Sequence, residues 1–189
     1  MTVRSSTVTD ARVCDPRVDD APDGWSEFAC HAGPHAVWEP ELLHIEGWLA
    51  RNPPLLVTVH DTDGIVVALS ALVCRPTRTP RYAPRRARRG PMWAEVAQPW
   101  LSGLPGIVRR PGVSGGRLRA AVRSAERALA RHLGAGLAGV FYRGVGSDLL
   151  PELAGRGRVH RRTDSSAILE NTFSSVDDWL ASLSKSRRA

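Results

Sequence analysis

Residues 107–142 constrain the fold more than any other stretch. They run from a short apolar segment through a glycine-rich loop into a long amphipathic helix, and out into a second apolar segment. Ile107 and Val108 lead into Arg109-Arg110-Pro111-Gly112-Val113-Ser114-Gly115-Gly116, and the spacing that follows predicts a helix over 117–133. Leu118, Ala121, Val122, Ala125, Leu129 and Leu133 recur at three- and four-residue intervals and define a face to be buried. Arg119, Arg123, Glu126, Arg127 and Arg131 take the wet side. Gly134 and Gly136 supply the stop. Residues 137–142 (LAGVFY) read as a buried strand, 148–154 as a short helix and 158–170 as a further strand. Strands and an amphipathic helix in this alternation predict an α/β protein whose helices pack on a sheet.

Upstream, 55–60 (LLVTVH), the turn Asp61-Thr62-Asp63-Gly64 and 65–73 (IVVALSALV) read as a β-hairpin, with Asp63-Gly64 as the turn signal. Two short helical pieces are expected between Trp25 and Trp48, broken by Gly33, Pro34 and Pro40. Residues 92–108, with two prolines, suit one or two short strands. Residues 1–20 are polar and lack periodicity, and are read as a flexible lead-in to a domain over 21–172.

The 189 residues suffice for one domain with a real core. The longest apolar run, 64–74, is too short to span a bilayer, and the N-terminus has no apolar core of the signal-peptide kind. The expectation is therefore a cytoplasmic protein without a transmembrane segment. Three widely spaced cysteines, Cys14, Cys30 and Cys74, fit reduced thiols better than a disulfide framework. The net charge of +7 is almost wholly arginine, since Lys185 is the only lysine among 26 basic residues. Seven of the arginines fall between Arg75 and Arg89 with three prolines, which predicts an exposed loop able to attract an anionic partner. Tyr82 is its only aromatic, so no base-stacking platform accompanies the charge.

The glycine loop is the first candidate for chemistry. Backbone N–H groups without side-chain cover, at a helix N-terminus with its positive partial charge, make a phosphate cradle. Arg109, Gly112, Ser114, Gly115 and Gly116 are the residues that would form it, and a flexible strand-to-helix turn is the other reading. Cys30, His31, His35 and His44 match no zinc spacing, so no metal site is expected. His60, His132 and His160 are scattered, and no nucleophile or general base can be assigned.

The loop resembles the pyrophosphate loop of the GNAT acyltransferases, in which Arg/Gln-x-x-Gly-x-Gly/Ala stands between a strand and a helix. Arg109, Gly112 and Ser114 fall on that pattern, with Ser114 departing from Gly/Ala and Pro111 removing one N–H. The tail FSSVDDWLASLSKSRR, residues 173–188, resembles the signature that opens the second half of the FemAB-like peptidoglycan-bridge aminoacyltransferases, which are related to GNAT proteins. Within it Ser175 and Asp178 suit a capping box, and Val176, Trp179, Leu180 and Leu183 form an apolar stripe. No residue closes this helix before Ala189, so 173–189 read as the start of an inter-lobe helix that is cut short.

The resemblance implies a GNAT-like lobe with a mixed, mostly antiparallel sheet. It also implies a partner lobe, missing or on a separate chain, that carries most of the donor binding and catalysis. The acyl donor would be acyl-CoA or aminoacyl-tRNA and the acceptor an amine. Two other readings remain: a complete small GNAT acetyltransferase binding acyl-CoA through residues 109–116, and a non-enzymatic basic module that binds RNA or an anionic surface through the arginine loop.

Overall fold

In the computed structural model, residues 10–76, 91–155, 157–162 and 174–182 are described. The chain divides into two units, Met1–Arg158 and Val159–Ala189. The first unit holds, in order, β1 (Asp10–Cys14), α1 (Trp25–Ala32), a 3-10 turn (Ala36–Trp38), α2 (Pro40–Leu49), β2 (Pro54–Asp61) and β3 (Gly64–Cys74). Then follow β4 (Met92–Gln98), β5 (Leu101–Pro105), β6 (Ile107–Arg109), α3 (Gly115–Leu133), β7 (Leu137–Tyr142) and α4 (Leu150–Leu153). This is the α/β class expected: a mixed sheet of seven strands flanked by helices.

The β2–β3 hairpin sits at the centre of the sheet and decides its layering. Leu55, Val57 and Val59 of β2 belong to the core that takes in Leu118, Ala121, Val122, Ala125, Leu129 and Leu133 of α3. Leu56, between them, belongs to a second core with Trp25, Phe28, Trp38 and Leu43. Period-two alternation thus splits one strand between two layers, with α3 on one face and α1 and α2 on the other. Each such aliphatic side chain contributes about 1.5–3 kcal/mol by leaving water. The hairpin turns over the expected Asp61-Thr62-Asp63-Gly64: Asp61 pairs with Gly64, and Thr62 and Asp63 form the tip. The Asp61 carboxylate accepts the Asp63 N–H at 2.8 Å, so the aspartate at the first turn position folds the tip onto itself.

Several expectations need correction. The polar lead-in is not aperiodic throughout, since β1 pairs antiparallel with β2 along its whole length. Ala11 is buried, whereas Asp10 and Arg12 are exposed and bonded to each other at 2.9 Å. The alternation was there, carried by small residues. Conversely β7, expected to be buried, is half-exposed, with Phe141 58% accessible. It pairs parallel to β4, and no second strand pairs with it among the described residues. Of the strand expected over 158–170, residues 158–162 are not in a strand, and the rest lies outside the described residues.

Residues 92–109 make three strands, not one or two. Val96 of β4 lies opposite Ala71, while Ile107 of β6 lies opposite Leu69 only two residues along β3. The Ser70 N–H, between these positions, donates to the Gly106 carbonyl at 3.0 Å. So β4 and β6 form one interrupted partner of β3, and the intervening chain leaves as an arm in which β5 folds back on the end of β4. The arm closes where Gly106 crosses Ala97: a Cβ there would lie 2.4 Å from the Ala97 backbone N, C and O. Its tip is held by α2. The Glu46 carboxylate accepts the Trp100 N–H at 2.8 Å, and Trp100 is the only non-glycine with positive φ (61°) among the described residues. Glu46 is only 6% exposed and its Oε2 has no hydrogen-bond partner. Desolvation pushes its carboxyl above the ordinary value of 4.5, partly offset by the Trp100 bond.

Burial raises the thiols of Cys14 and Cys74 to about 12, with nearby carboxylates adding to the effect. Cys30, on α1, is exposed. No helix among the described residues is long and apolar enough to cross a membrane. In the second unit, α5 (Val176–Ser182) begins with the expected cap. Ser175 Oγ accepts the Asp178 N–H at 3.1 Å, and the Asp178 carboxylate accepts the N–H of Ser174 at 3.1 Å. Leu183 and the basic residues after it lie outside the described residues.

Gly106→Ala should lower stability by about 3 kcal/mol, since the added methyl meets backbone that cannot rotate away. For a chain of this size that is a fall in melting temperature of roughly 10 °C, measurable by circular dichroism. Glu46 makes a second prediction. Its folded-state pKa is raised, so the native state holds the proton more tightly than the unfolded chain. Stability therefore falls as pH rises from 4.5 through the raised value. His60 works in the opposite sense, its pKa lowered first by desolvation and then by Arg12. Urea midpoints across that range should show the Glu46 slope in the wild type and not in Glu46→Gln, with the His60 contribution common to both.

Candidate functional site

The glycine loop joins β6 to α3, and its backbone has the conformation that its glycines allow. Gly112 and Gly115 have φ of 81° and 56°, in the left-handed region that side chains disfavour. Gly116 has an ordinary φ and open space around it, so neither conformation nor contact demands glycine there. Ser114 stands at the N-cap with extended backbone but makes no side-chain cap bond. The helix begins at Gly115, two residues before the expected start. Its first turn therefore leaves backbone donors to be satisfied from elsewhere.

A carboxylate from α4 meets that need. Glu152 Oε1 accepts the Gly115 N–H at 3.0 Å, and its Oε2 lies 3.5 Å from the Arg119 guanidinium. A negative group at a helix N-terminus is favoured by the helix dipole as well as by the bond itself. The neighbouring cations are engaged in the same way. Arg109 lies 3.4 Å from Asp148, just ahead of α4. Arg110 donates to the Ile65 carbonyl at 2.6 and 3.0 Å and to the Asp63 carbonyl at 3.0 Å. Asp61, whose side chain is fully buried at the hairpin tip, pairs with Arg117 and lies 3.8 Å from Arg110. The loop thus gathers four arginines and three carboxylates, and the charges oppose one another at contact distance.

Of the residues singled out in the sequence, Arg109 and Gly115 are the two brought into polar contact with these acids, Gly112 and Gly115 take the left-handed backbone of the loop, and Gly116 does neither. Asp61, Asp148 and Glu152 carried no local signal. Asp61 looked like part of a turn, and Asp148 and Glu152 lie more than thirty residues from the atoms they contact. A second, half-buried network lies farther along α3. Glu126 accepts the Tyr142 hydroxyl at 2.7 Å and both its oxygens bond Arg158, at 2.6 and 2.8 Å. The Arg158 guanidinium also lies 5.9 Å from the Tyr142 ring centroid. Burial, then the Glu126 charge, pushes the Tyr142 hydroxyl well above its ordinary value, which suits a structural donor and not a proton shuttle.

Three of the histidines singled out make hydrogen bonds with backbone groups. His31 Nδ1 is 2.8 Å from the Glu27 carbonyl, His44 Nδ1 is 2.8 Å from the Pro16 carbonyl, and His35 accepts the Val37 N–H at 3.3 Å. Among the described residues no group of three or more His, Cys, Asp or Glu could hold a metal ion. Most of the arginine loop, residues 77–90, lies outside the described residues. No family model, curated protein or solved structure matches the chain.

Glu152→Ala should cost about 1 kcal/mol by removing the cap and dipole partner of α3. The same change frees the Gly115 N–H and Arg119 for an external anion. Inorganic pyrophosphate should then raise the melting temperature of the variant more than that of the wild type in a thermal-shift titration. Equal shifts in both would mean that Glu152 does not occupy an anion position.

Proposed function

We propose that the larger unit is a GNAT-like lobe of a FemAB-like acyl- or aminoacyltransferase, acting with a second lobe that supplies the donor site and the catalytic groups. The mixed sheet flanked by helices, the strand-loop-helix order through residues 107–133 and the capped helix in the 173–188 signature all support this reading.

The observation that carries it furthest is the internal neutralisation of the glycine loop. A lobe that bound a phosphate-bearing donor by itself would present its helix N-terminus and arginines to solvent. Here Glu152 takes the Gly115 N–H, Asp148 takes Arg109 and Asp61 takes Arg117. That arrangement suits a lobe whose loop serves the fold while donor binding lies elsewhere. In the assembled enzyme, catalysis would rest on holding an acyl thioester or aminoacyl ester against an acceptor amine, with donors at the developing oxyanion.

Coenzyme A at micromolar concentration should leave the melting temperature of this chain unchanged, because a ligand must bind the native state to stabilise it. A clear upward shift, abolished by changing Arg109 and Gly115, would overturn the proposal in favour of a complete small acetyltransferase.

A further inference from the structure

The β4–β5 arm carries its strain at the tip. The Leu101 N–H donates to the Pro99 carbonyl at 2.7 Å, which closes a three-residue turn around Trp100, whose φ is 61°. A γ-turn with positive φ is strained for any residue with a side chain. Glu46 Oε1, on the buried side of α2, holds the turn by accepting the Trp100 N–H. Against β4 the arm makes two residue pairs, Ala97 with Pro105 and Gln98 with Leu101, with a register shift between them.

Among the described residues no cation is paired with Glu46, whose Oε2 is buried without a hydrogen-bond partner. Burial is what raises its pKa, and the Trp100 N–H is what offsets the rise. The arm, residues 99–105, has no titratable side chain. Arg17 crosses α2 at Gly47, where an added Cβ would lie 2.6 Å from its Cγ, but its guanidinium is bonded to Asp15 at 2.8 Å. The 3-10 turn and β2 also pack against α2, and their titratable groups are engaged. His35 accepts the Val37 N–H, Glu39 is exposed, His60 Nε2 lies 3.0 Å from Thr58 Oγ1, and Asp61 is paired with Arg117. On α2 itself Glu41 is exposed and His44 lies against the Pro16 carbonyl. An ionised Glu46 therefore gains water when the arm lifts, whereas a neutral one loses little by staying buried.

The arm is tied to the glycine loop from two sides. Gly106 leads straight into β6, which ends at Arg109. A Cβ on Gly144 (φ 61°), two residues beyond β7, would lie 2.6 Å from the Gly103 carbonyl oxygen and 2.9 Å from the Leu104 carbonyl carbon. The returning limb of the arm thus lies against the backbone that runs on to Asp148. Arg109 and Asp148 meet at 3.4 Å, so a shift of the arm acts on both partners of that pair.

We propose that the β4–β5 arm is a proton-operated latch, closed on α2 while the Glu46 carboxyl holds its proton and released when it ionises, and that release is passed through Gly106 and Gly144 to the Arg109–Asp148 pair. The closed arm favours the protonated form, so rising pH opens it. The inference stands apart from the transferase reading.

Fluorine NMR of the full chain labelled with 5-fluorotryptophan tests the latch, with the Trp100 signal assigned from Trp100→Phe. As pH rises from about 4 to about 8, the Trp100 signal should move in one transition while those of buried Trp25 and Trp38 hold their positions. In Glu46→Gln, which keeps the oxygen acceptor and cannot ionise, the Trp100 signal should stay at its low-pH position throughout. Asp148→Asn should lower the midpoint by at least about 0.7 pH unit, a fivefold coupling, because release comes more easily once the pair that resists it is gone. An immobile Trp100 signal, a transition that survives in Glu46→Gln, or one shared by Trp25 and Trp38 would overturn the latch. An unchanged midpoint in Asp148→Asn would overturn its link to the glycine loop.

Discussion

The chain can run β4, leave the sheet, and resume as β6 only because Gly106 passes over Ala97 with no side chain between them. Everything on either side of the crossing depends on that approach. On one side, β6 regains its place against β3 and delivers the chain to the start of α3, so that the helix lies over β1, β2 and β3. On the other, the arm that has been looped out brings Trp100 within reach of Glu46. A methyl group at this position would have to move one backbone or the other, and both backbones are fixed by their hydrogen bonds to β3.

Around the α3 N-terminus, arginine content and available positive potential part company. A local count of four arginines beside a glycine loop suggests a strong anion site, and the dipole of a 19-residue helix would reinforce it. Asp61, Asp148 and Glu152 reverse that conclusion by contact. Asp61 matters most, being fully buried and serving Arg117, Arg110 and its own turn at once. Because each acid comes from a different element, the loop also works as a clasp among the hairpin tip, β6, α3 and the segment leading into α4. Removing any one acid would leave a cation to be resolvated, and removing Glu152 the helix end as well, so the loop's charges are a matter of folding as much as of recognition.

Much of the architecture could be read from periodicity. The buried face of α3 was legible residue by residue because about five turns of sequence share one spacing, and the Ser175–Asp178 cap was legible because a capping box is local. β1 was missed because Asp-Ala-Arg-Val-Cys alternates with small residues that carry little hydrophobic weight, and its pairing partner lies some forty residues on. The arm at 97–106 was missed for a different reason: nothing in the order of residues says that a strand will be interrupted and then continued. The glycine loop lies at a strand-to-helix junction, as its sequence indicates, whereas the acids that engage it could not be anticipated, since their partnership exists only after α4 has packed beside α3.

The different fates of the three thiols have a use outside the protein's own chemistry. Cys14 and Cys74 are held near pKa 12, so at neutral pH only a vanishing fraction is thiolate, the form that alkylating reagents attack. Cys30 lies exposed on α1. In the native fold Cys30 is therefore the thiol that a maleimide should reach first, beside the layer that contains Trp25 and Phe28. A dye placed there reports on α1 and its neighbours while the sheet is intact, and the appearance of two further labelled positions becomes a direct chemical clock for the opening of the core.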